Sequence, residues 1–571
     1  MEQTSPVFTT ENECQDCYKC VRHCHCKAIR IVEGKASVIP EACVSCGQCV
    51  KVCPAHAKKI RSDYSRLRFL LAERKRVFAS IAPSYVGYFP GIDMSCLADI
   101  LKRAGFEGVS ETAIGAEAVS AETCEFLRKT KKPLVISSAC PAVVDYIRKY
   151  MPQYTDSLIP LASPVLSHCR ILKMEFGSDI KVVFFGPCAA KKNESDRNQG
   201  ILDLALTFAD LERLVEEYGF ASDKPVSPDV SNQSIWGQPA EGRFYSIEGG
   251  MNDTLREGNT QVRYLAISGL DNLSRLLSRW QHNTSGRTIF LEALACHGGC
   301  VNGPVMPKDA PTLDVLFQTD RISSVASSHG KTPPVSIDCN YFTDALSEPV
   351  PSESELERAL ARVGKYGKAD ELNCGACGYN TCRDFARALL QHKAEEAMCH
   401  NYLRKNYQRT SNALIKYIPA AVVIVDEHLQ ITECNRIFAE LTGDTDVYDS
   451  LGNLDSIAID VYFPDFAELF SSVLENGGEI EKYNQKYHDK IINLSVFTIA
   501  KGKYSGAVIT DVTRKEFHRE QIAAKAREVI QKNVLTVQKV ARLFGEHIAE
   551  TEIMLHEIAG SYEAGNGEDH E

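Results

Sequence analysis

The sequence predicts a multidomain protein organised around an α/β core, and three observations carry that expectation. Its 571 residues exceed what one hydrophobic core ordinarily organises. From about Arg66 to Ser328, apolar runs such as Val77 to Ile81, Lys181 to Phe185 and Val262 to Ile267 alternate with longer amphipathic stretches such as Leu211 to Tyr218. Cysteines follow the apolar runs. Cys140 closes Ser137-Ser138-Ala139-Cys140-Pro141 after Leu134 to Ile136, and Cys188 closes Gly186-Pro187-Cys188 after Val182 to Phe185. A third stretch, Glu292 to Pro304, sets Cys296 and Cys300 among glycines, which let the backbone approach a bulky group closely. Ligands bind at the carboxyl ends of strands in α/β sheets, so Cys140, Cys188, Cys296 and Cys300 can converge on one 4Fe-4S cube. The rival reading is four buried structural cysteines.

Composition narrows the function classes. The net charge of −11, without a basic block, argues against nucleic acid or an anionic membrane as the main partner. The start, Met1-Glu2-Gln3-Thr4, lacks an apolar core, and no later segment is a long uninterrupted apolar run, so a cytoplasmic protein is expected. Of 22 cysteines, sixteen fall into cluster-type spacings. The others, Cys26, Cys96, Cys124, Cys169, Cys339 and Cys434, read as packing residues.

Residues 1–65 contain C-x2-C-x2-C-x3-C twice, the second time followed by Pro54. This resembles the bacterial two-cluster ferredoxins, in which the fourth cysteine of each run ligates the other cluster. The resemblance assigns Cys14, Cys17, Cys20 and Cys53 to one 4Fe-4S cluster and Cys43, Cys46, Cys49 and Cys24 to a second. His25 stands where proline usually follows, and Cys26 is close enough to compete with Cys24. Zinc is the alternative for dense cysteine.

The three cysteine loops of residues 66–330, with Lys191, Lys192 and Glu194 after Cys188, resemble the signature loops of FeFe hydrogenases. That family's active site, the H-cluster, joins a 4Fe-4S cube to a two-iron unit carrying CO, cyanide and a bridging dithiolate. The resemblance implies that Cys140, Cys188, Cys296 and Cys300 hold the cube and that Cys300 bridges to the two-iron unit. It also implies that Pro83 and Ser84 meet one cyanide and Lys191 the other. The departures concern protons. Ala139 stands where catalytic relatives carry a proton-relaying cysteine, and Ile159 where they carry a relay serine. Glu117 keeps one relay carboxylate, and Ser120 stands for the other. Gly186 and Leu294 replace methionines that pack the two-iron unit, so turnover is expected to be slow or redirected.

Residues 331–368 read as a linker, rich in Pro, Ser and Asp toward its start. Within 369–405, Cys374, Cys377, Cys382 and Cys399 form C-x2-C-x4-C-x16-C, which resembles a small four-cysteine 4Fe-4S domain, with a zinc knuckle as the alternative. Apolar spacing at Phe385, Ala388 and Leu389 predicts a helix between Cys382 and Cys399. Residues 406–515 resemble a PAS sensor domain (α+β), from Ala421 to Asp426 through Asn435, Phe438 and Gly443 to Asp511-Val512-Thr513. No flavin-binding light-sensor motif is present, since Cys434 precedes Asn435. Residues 516–571 predict a signalling helix, with Ile522, Ala526, Val529, Val537, Val540 and Phe544 on one face, and an acidic end.

Together these readings identify the chain as a member of the PAS-containing, hydrogen-sensing (group C type) FeFe hydrogenases. The expected activity is binding or slow oxidation of H2, relayed through 4Fe-4S clusters to the PAS domain and then to a separate kinase, phosphatase or regulator. Ferredoxin or another redox partner, hydrogenase maturation proteins and a homodimer are implied. Two alternatives remain: a catalytic ferredoxin-linked hydrogenase, and a hydrogenase-like assembly or scaffold protein without a two-iron unit.

Overall fold

The computed structural model describes residues 5–73, 75–219, 241–255, 261–280, 286–307, 335–347, 349–454, 456–513 and 528–537. The chain divides into two units, Met1–Cys399 and His400–Glu571.

The first unit begins with a pseudosymmetric cysteine-rich domain. β1 (Val7–Thr9) pairs antiparallel with β4 (Lys58–Ile60), and β2 (Ile29–Val32) pairs antiparallel with β3 (Lys35–Val38). Each cysteine run wraps a short helix, Lys19–His23 or Gln48–Val52, entered through a left-handed residue, Tyr18 (φ 53°) or Gly47 (φ 76°). Left-handed backbone turns the chain sharply, which lets three closely spaced thiols face one point.

The α/β region has two parallel sheets. β5 (Val77–Ile81), β6 (Gly108–Glu111), β8 (Lys181–Gly186) and β9 (Leu204–Thr207) stand in the order β6-β5-β8-β9. β7 (Leu134–Ile136), β10 (Val262–Ser268) and β11 (Thr288–Leu294) stand in the order β10-β11-β7. Helices cover these strands, and β5, β6, β7 and nearly all of β8 and β11 are buried, as parallel strands flanked by helices must be. His168, on helix Pro164–Phe176, is buried between Ser80 of β5 and Ser110 of β6, whose hydroxyls lie 2.8 Å and 3.0 Å from its two ring nitrogens. Burial pushes its pKa down to about 3, so it packs as a neutral ring. Gly115 allows this helix to approach closely, since a Cβ there would lie 2.1 Å from the Pro164 carbonyl oxygen.

The expected linker is structured where it is described. Residues 335–347 run extended against the α/β region: Cys339 N–H donates to Pro160 O at 3.0 Å, and Tyr341 OH donates to Leu161 O at 2.7 Å. Helix Glu353–Arg362, capped reciprocally by Ser352 and Glu355, buries Leu356, Ala359 and Leu360 against Cys382 and Ala386. It therefore belongs with the four-cysteine segment. The predicted helix there spans Cys382–Leu390 and buries Phe385, Ala388 and Leu389.

The second unit is a five-stranded antiparallel sheet of β12 (Ala421–Asp426), β13 (Ile431–Cys434), β14 (Glu479–Tyr487), β15 (Lys490–Ala500) and β16 (Tyr504–Asp511), in the order β13-β12-β16-β15-β14. Buried Asn435 accepts from Val422 N–H and donates to Ile415 O and Ala420 O, tying helix His400–Tyr417 to the sheet. Thr513 closes the last strand by hydrogen bonds to Asp511 and Ile491. Helix residues 528–537 bury Ile530, Val534 and Val537, with Val529 only partly buried. The face is thus set by the i, i+4, i+7 stripe through Ile530, one residue beyond the expected Val529. Ile522, Ala526, Val540 and Phe544 lie outside the described residues. Among the described residues no helix is long and apolar enough to cross a membrane.

Candidate metal centre

Each parallel sheet sends two loops from its carboxyl edge toward one region. β7 leads to Cys140 and β11 to Cys296 and Cys300, while β5 leads to Pro83-Ser84 and β8 to Cys188. Cys140, Cys188, Cys296 and Cys300 line one cavity, with Cys46, Ala142, Pro187, Leu294, Ala295 and Gly303. Leu294, expected in the apolar wall, is therefore part of the lining. Gly299 (φ 106°) is required in the third loop, because a Cβ would lie 2.5 Å from Ser246 O. Burial, and then mutual repulsion among the thiolates, pushes the Cys188 thiol up to about 11 and those of Cys296 and Cys300 further up. Such a ring of thiols ionises only beside compensating cations, which is what bound iron supplies. Four cysteine thiols lining one cavity are the donor set of a 4Fe-4S cube.

The cations and hydroxyls around the cavity also fit a larger group. Lys191, 9% exposed, donates to Ser163 Oγ at 3.0 Å and Glu194 Oε2 at 2.7 Å, and its charge acts on both Cys188 and Cys300. Lys192, its neighbour, serves packing: it is 1% exposed and donates to Asp63 at 3.0 Å. Ser84 is buried and its Oγ has no hydrogen-bond partner, an orphan that a bound acceptor would satisfy. Pro83 is partly exposed beside it.

The expected proton residues are scattered. Ala139 is partly buried against the apolar core, and Ile159 is fully buried in it. Glu117, on helix Ala113–Lys129, stands near Gly242 and interacts with Arg243, itself paired with buried Glu111. Ser120 shares hydrogen bonds with Tyr245 OH (2.8 Å) and Thr254 Oγ1 (2.7 Å). The sequence reading missed Glu292. It lies at 2% exposure on β11, accepts backbone N–H groups from Gly249 and Asn252 at 3.0 Å each, and acts electrostatically on Cys300 and Tyr245. Burial pushes its pKa up to about 7 despite those donors. A charged residue inside the apolar run Thr288–Leu294 was the available signal.

A second cavity is lined by Cys24, Cys26, Cys43, Cys46 and Cys49. Cys26, which also packs in the adjoining core, is therefore part of that lining, as its place two residues after Cys24 allows. Cys46 lines both cavities. Its loop is pressed onto the third loop: Lys51 donates to Asn302 O at 2.9 Å, and a Cβ on Gly47 would lie 2.5 Å from Pro304. Cys14 and Cys17 act electrostatically on Cys20, and Lys58 acts on Cys20 as well as on Cys43 and Cys49. Cys53 is buried at the end of helix Gln48–Val52. Cys377 feels Cys399, Cys374 and Cys382.

The fold and site define an iron-sulfur protein with a mixed α/β centre. Residues 75–304 match the family described as iron only hydrogenase large subunit, C-terminal domain. Residues 36–59 match a 4Fe-4S binding domain, and residues 370–400 match an Fe-S cluster family. Iron hydrogenase 1 of Clostridium pasteurianum is 25% identical over 364 residues, 51% of this chain and 62% of that protein. NADP-reducing hydrogenase subunit HndD of Solidesulfovibrio fructosivorans is 25% identical over 347 residues, 49% of this chain and 58% of that one. Nuclear prelamin A recognition factor of Xenopus laevis is 22% identical over 391 residues, 55% of this chain and 84% of that protein. The chain thus spans about three fifths of the two hydrogenases it matches. An FeFe-hydrogenase structure from Chlamydomonas reinhardtii is 15% identical, covering 50% of this chain and 100% of that one at a TM-score of 0.36. The Rhodobacter sphaeroides LOV protein is 15% identical, covering 26% of this chain and 87% of that one at 0.19. The α/β region is similar to iron hydrogenases at low identity.

Proposed function

We propose that the chain is a slow FeFe hydrogenase that senses H2. The observation that carries this reading is the cavity ringed by Cys140, Cys188, Cys296 and Cys300, with the Lys191 ammonium acting on Cys188 and Cys300. When bound there, an H-cluster would supply the cleavage of H2 to two protons and two electrons. The chain's own residues do the rest. The thiolates of Cys140, Cys188, Cys296 and Cys300 would hold that group. Lys191 and Ser84 offer donors to its anionic ligands. Apolar Ala139 and Ile159 keep protons off the usual route, which favours detection over turnover. Glu292, a carboxyl that titrates near neutrality, offers a proton site at its Oε atoms. With clusters in both cavities, electrons would leave past Cys46 into the cysteine-rich domain, and the signal would continue through residues 374–399 and the PAS-like unit to a separate regulator.

The third reading, a scaffold without a two-iron unit, is disfavoured by the orphan Ser84 hydroxyl and the buried Lys191. The test is infrared spectroscopy after maturation in the presence of H2. Carbonyl and cyanide bands that shift with gas support the sensor or the catalyst, and turnover then separates those two. Absence of the bands from a chain with all its 4Fe-4S clusters would leave the scaffold.

A further inference from the structure

The four-cysteine segment is docked on the first half of the cysteine-rich domain. Ile31 N–H donates to Lys393 O at 3.1 Å, and Glu33 N–H donates to Glu395 Oε1 at 2.6 Å. Gly378 (φ 92°) lies so close to the helix of the first cysteine run that a Cβ would sit 3.0 Å from Val21 and 3.2 Å from Arg22 N. At the centre of this contact Lys27 bridges the two parts. Its ammonium donates to Val21 O at 2.9 Å and to Gly378 O at 2.7 Å, and lies 5.5 Å from the ring centroid of Tyr379. Lys27 and the buried Tyr379 each interact electrostatically with Cys24 on one side and Cys377 on the other.

A second lysine, this one buried, repeats the arrangement. Lys58, 3% exposed, donates to Thr9 Oγ1 and Ala36 O and acts on Cys20 of one site and on Cys43 and Cys49 of the next. Together with the wall shared through Cys46, these contacts give the Cys24/Cys43/Cys46/Cys49 site three neighbours. Sequence order alone would have strung the four sites along a line.

We propose that the Cys24/Cys43/Cys46/Cys49 site is an electron branch point that feeds the Cys374/Cys377/Cys382/Cys399 site across Lys27 and Tyr379, and that the Lys27 charge sets how readily both sites accept an electron. This rests on the reading that each site holds a 4Fe-4S cube. Each step is one electron: the reduced cube at the branch point is oxidised and its neighbour reduced, with no bond or proton moved. H2, or dithionite in its place, supplies the electrons. Lys27 is a positioning residue, since it stabilises the added negative charge on either side without ligating iron.

The test uses the full chain loaded with iron and sulfide, without a two-iron unit, so that it does not depend on hydrogen chemistry. Dithionite titrations followed by electron paramagnetic resonance give each cluster's potential. Signals are assigned with Cys377→Ser and Cys20→Ser. A unit charge about 10 Å away acts on the order of tenfold on an equilibrium in a partly buried setting. Lys27→Met should therefore lower the reduced-to-oxidised ratio about tenfold at fixed potential, or ~59 mV for one electron, at the branch and four-cysteine sites. The Cys14/Cys17/Cys20 site should stay unchanged, and Lys27→Arg should restore both shifted potentials. Unmoved potentials in a fully loaded Lys27→Met chain, or an equal shift of every cluster, would overturn the branch. If Cys377→Ser removes neither iron nor a signal, the four-cysteine cluster is absent, and both that reading and the branch fail.

Discussion

The two halves of the cysteine-rich domain begin from the same local structure and end with different partners. Tyr18 and Gly47 enter equivalent helices in the left-handed region, and Lys27 and His56 take φ of 47° and 52° after equivalent cysteines. Cys24 N–H reaches Val21 O at 3.4 Å, and Cys53 N–H reaches Val50 O at 3.4 Å. Yet the second half faces the third cysteine loop, where Pro304 leaves no space for a side chain at 47, while the first half carries a tyrosine at 18 and meets Gly378 and Lys393. Spacing of cysteines fixes the turn. What packs on the turn decides which cysteine site it adjoins.

The largest effects should come from the loop that the second half leans on. Cys300→Ser removes the thiolate that can bind two irons, so carbonyl and cyanide bands and H2 turnover should vanish while the other clusters persist. Retained turnover would reject the bridge. Ala139→Cys introduces a thiol that can carry a proton. General acid-base transfer contributes roughly 10² to 10⁴ in rate, so turnover should rise measurably, and further with Ile159→Ser. An unchanged rate in both variants would point to protons travelling by Glu292, and Glu292→Gln should then lower it.

Smaller effects separate the two halves directly. Gly47→Ala meets Pro304 at 2.5 Å in a left-handed turn, and overpacking of this kind costs about 1–3 kcal/mol. It should lower the thermal midpoint of the loaded chain and slow electron exchange between the two cavities. Tyr18→Gly relieves the same backbone angle without such a collision and should leave that exchange unchanged.

The smallest effect is in pH dependence. Glu292 is raised from 4.5 to about 7 by burial, so the folded state holds its proton more tightly than the unfolded chain. Its contribution to stability is full below about pH 4.5 and is lost as pH rises through about 7. His168, depressed from 6.5 to about 3, works the other way, its contribution being lost as pH falls below 6.5. Thermal midpoints at about pH 5 and about pH 8 should differ less in Glu292→Gln than in the parent chain; equal differences would mean that Glu292 titrates normally.

Much of the site was legible because it is local. Cysteines at the ends of apolar runs in 134–140, 181–188 and 288–296 lie where strands end, and glycines such as Gly299 mark close approach. Glu292 was not legible, because a carboxylate inside a strand looks like an edge position until the Gly249 and Asn252 N–H donors and burial fix its environment. Cys26 was legible in part: its place two residues after Cys24 marks it as a competing thiol, and the fold sets it on the cavity wall as well as in the core.

By itself the sequence determined the cysteine runs, the strand-end loops and the helix Cys382–Leu390, all set by periodicity, glycine and thiol spacing within short stretches. Only the tertiary structure decided which sites adjoin. Cys46 joins two cavities although it lies far along the chain from Cys140, Cys188, Cys296 and Cys300, and Lys27 meets Gly378 across 351 positions. Such contacts depend on the packing of whole elements, and no local pattern of residues encodes which surfaces will be buried together.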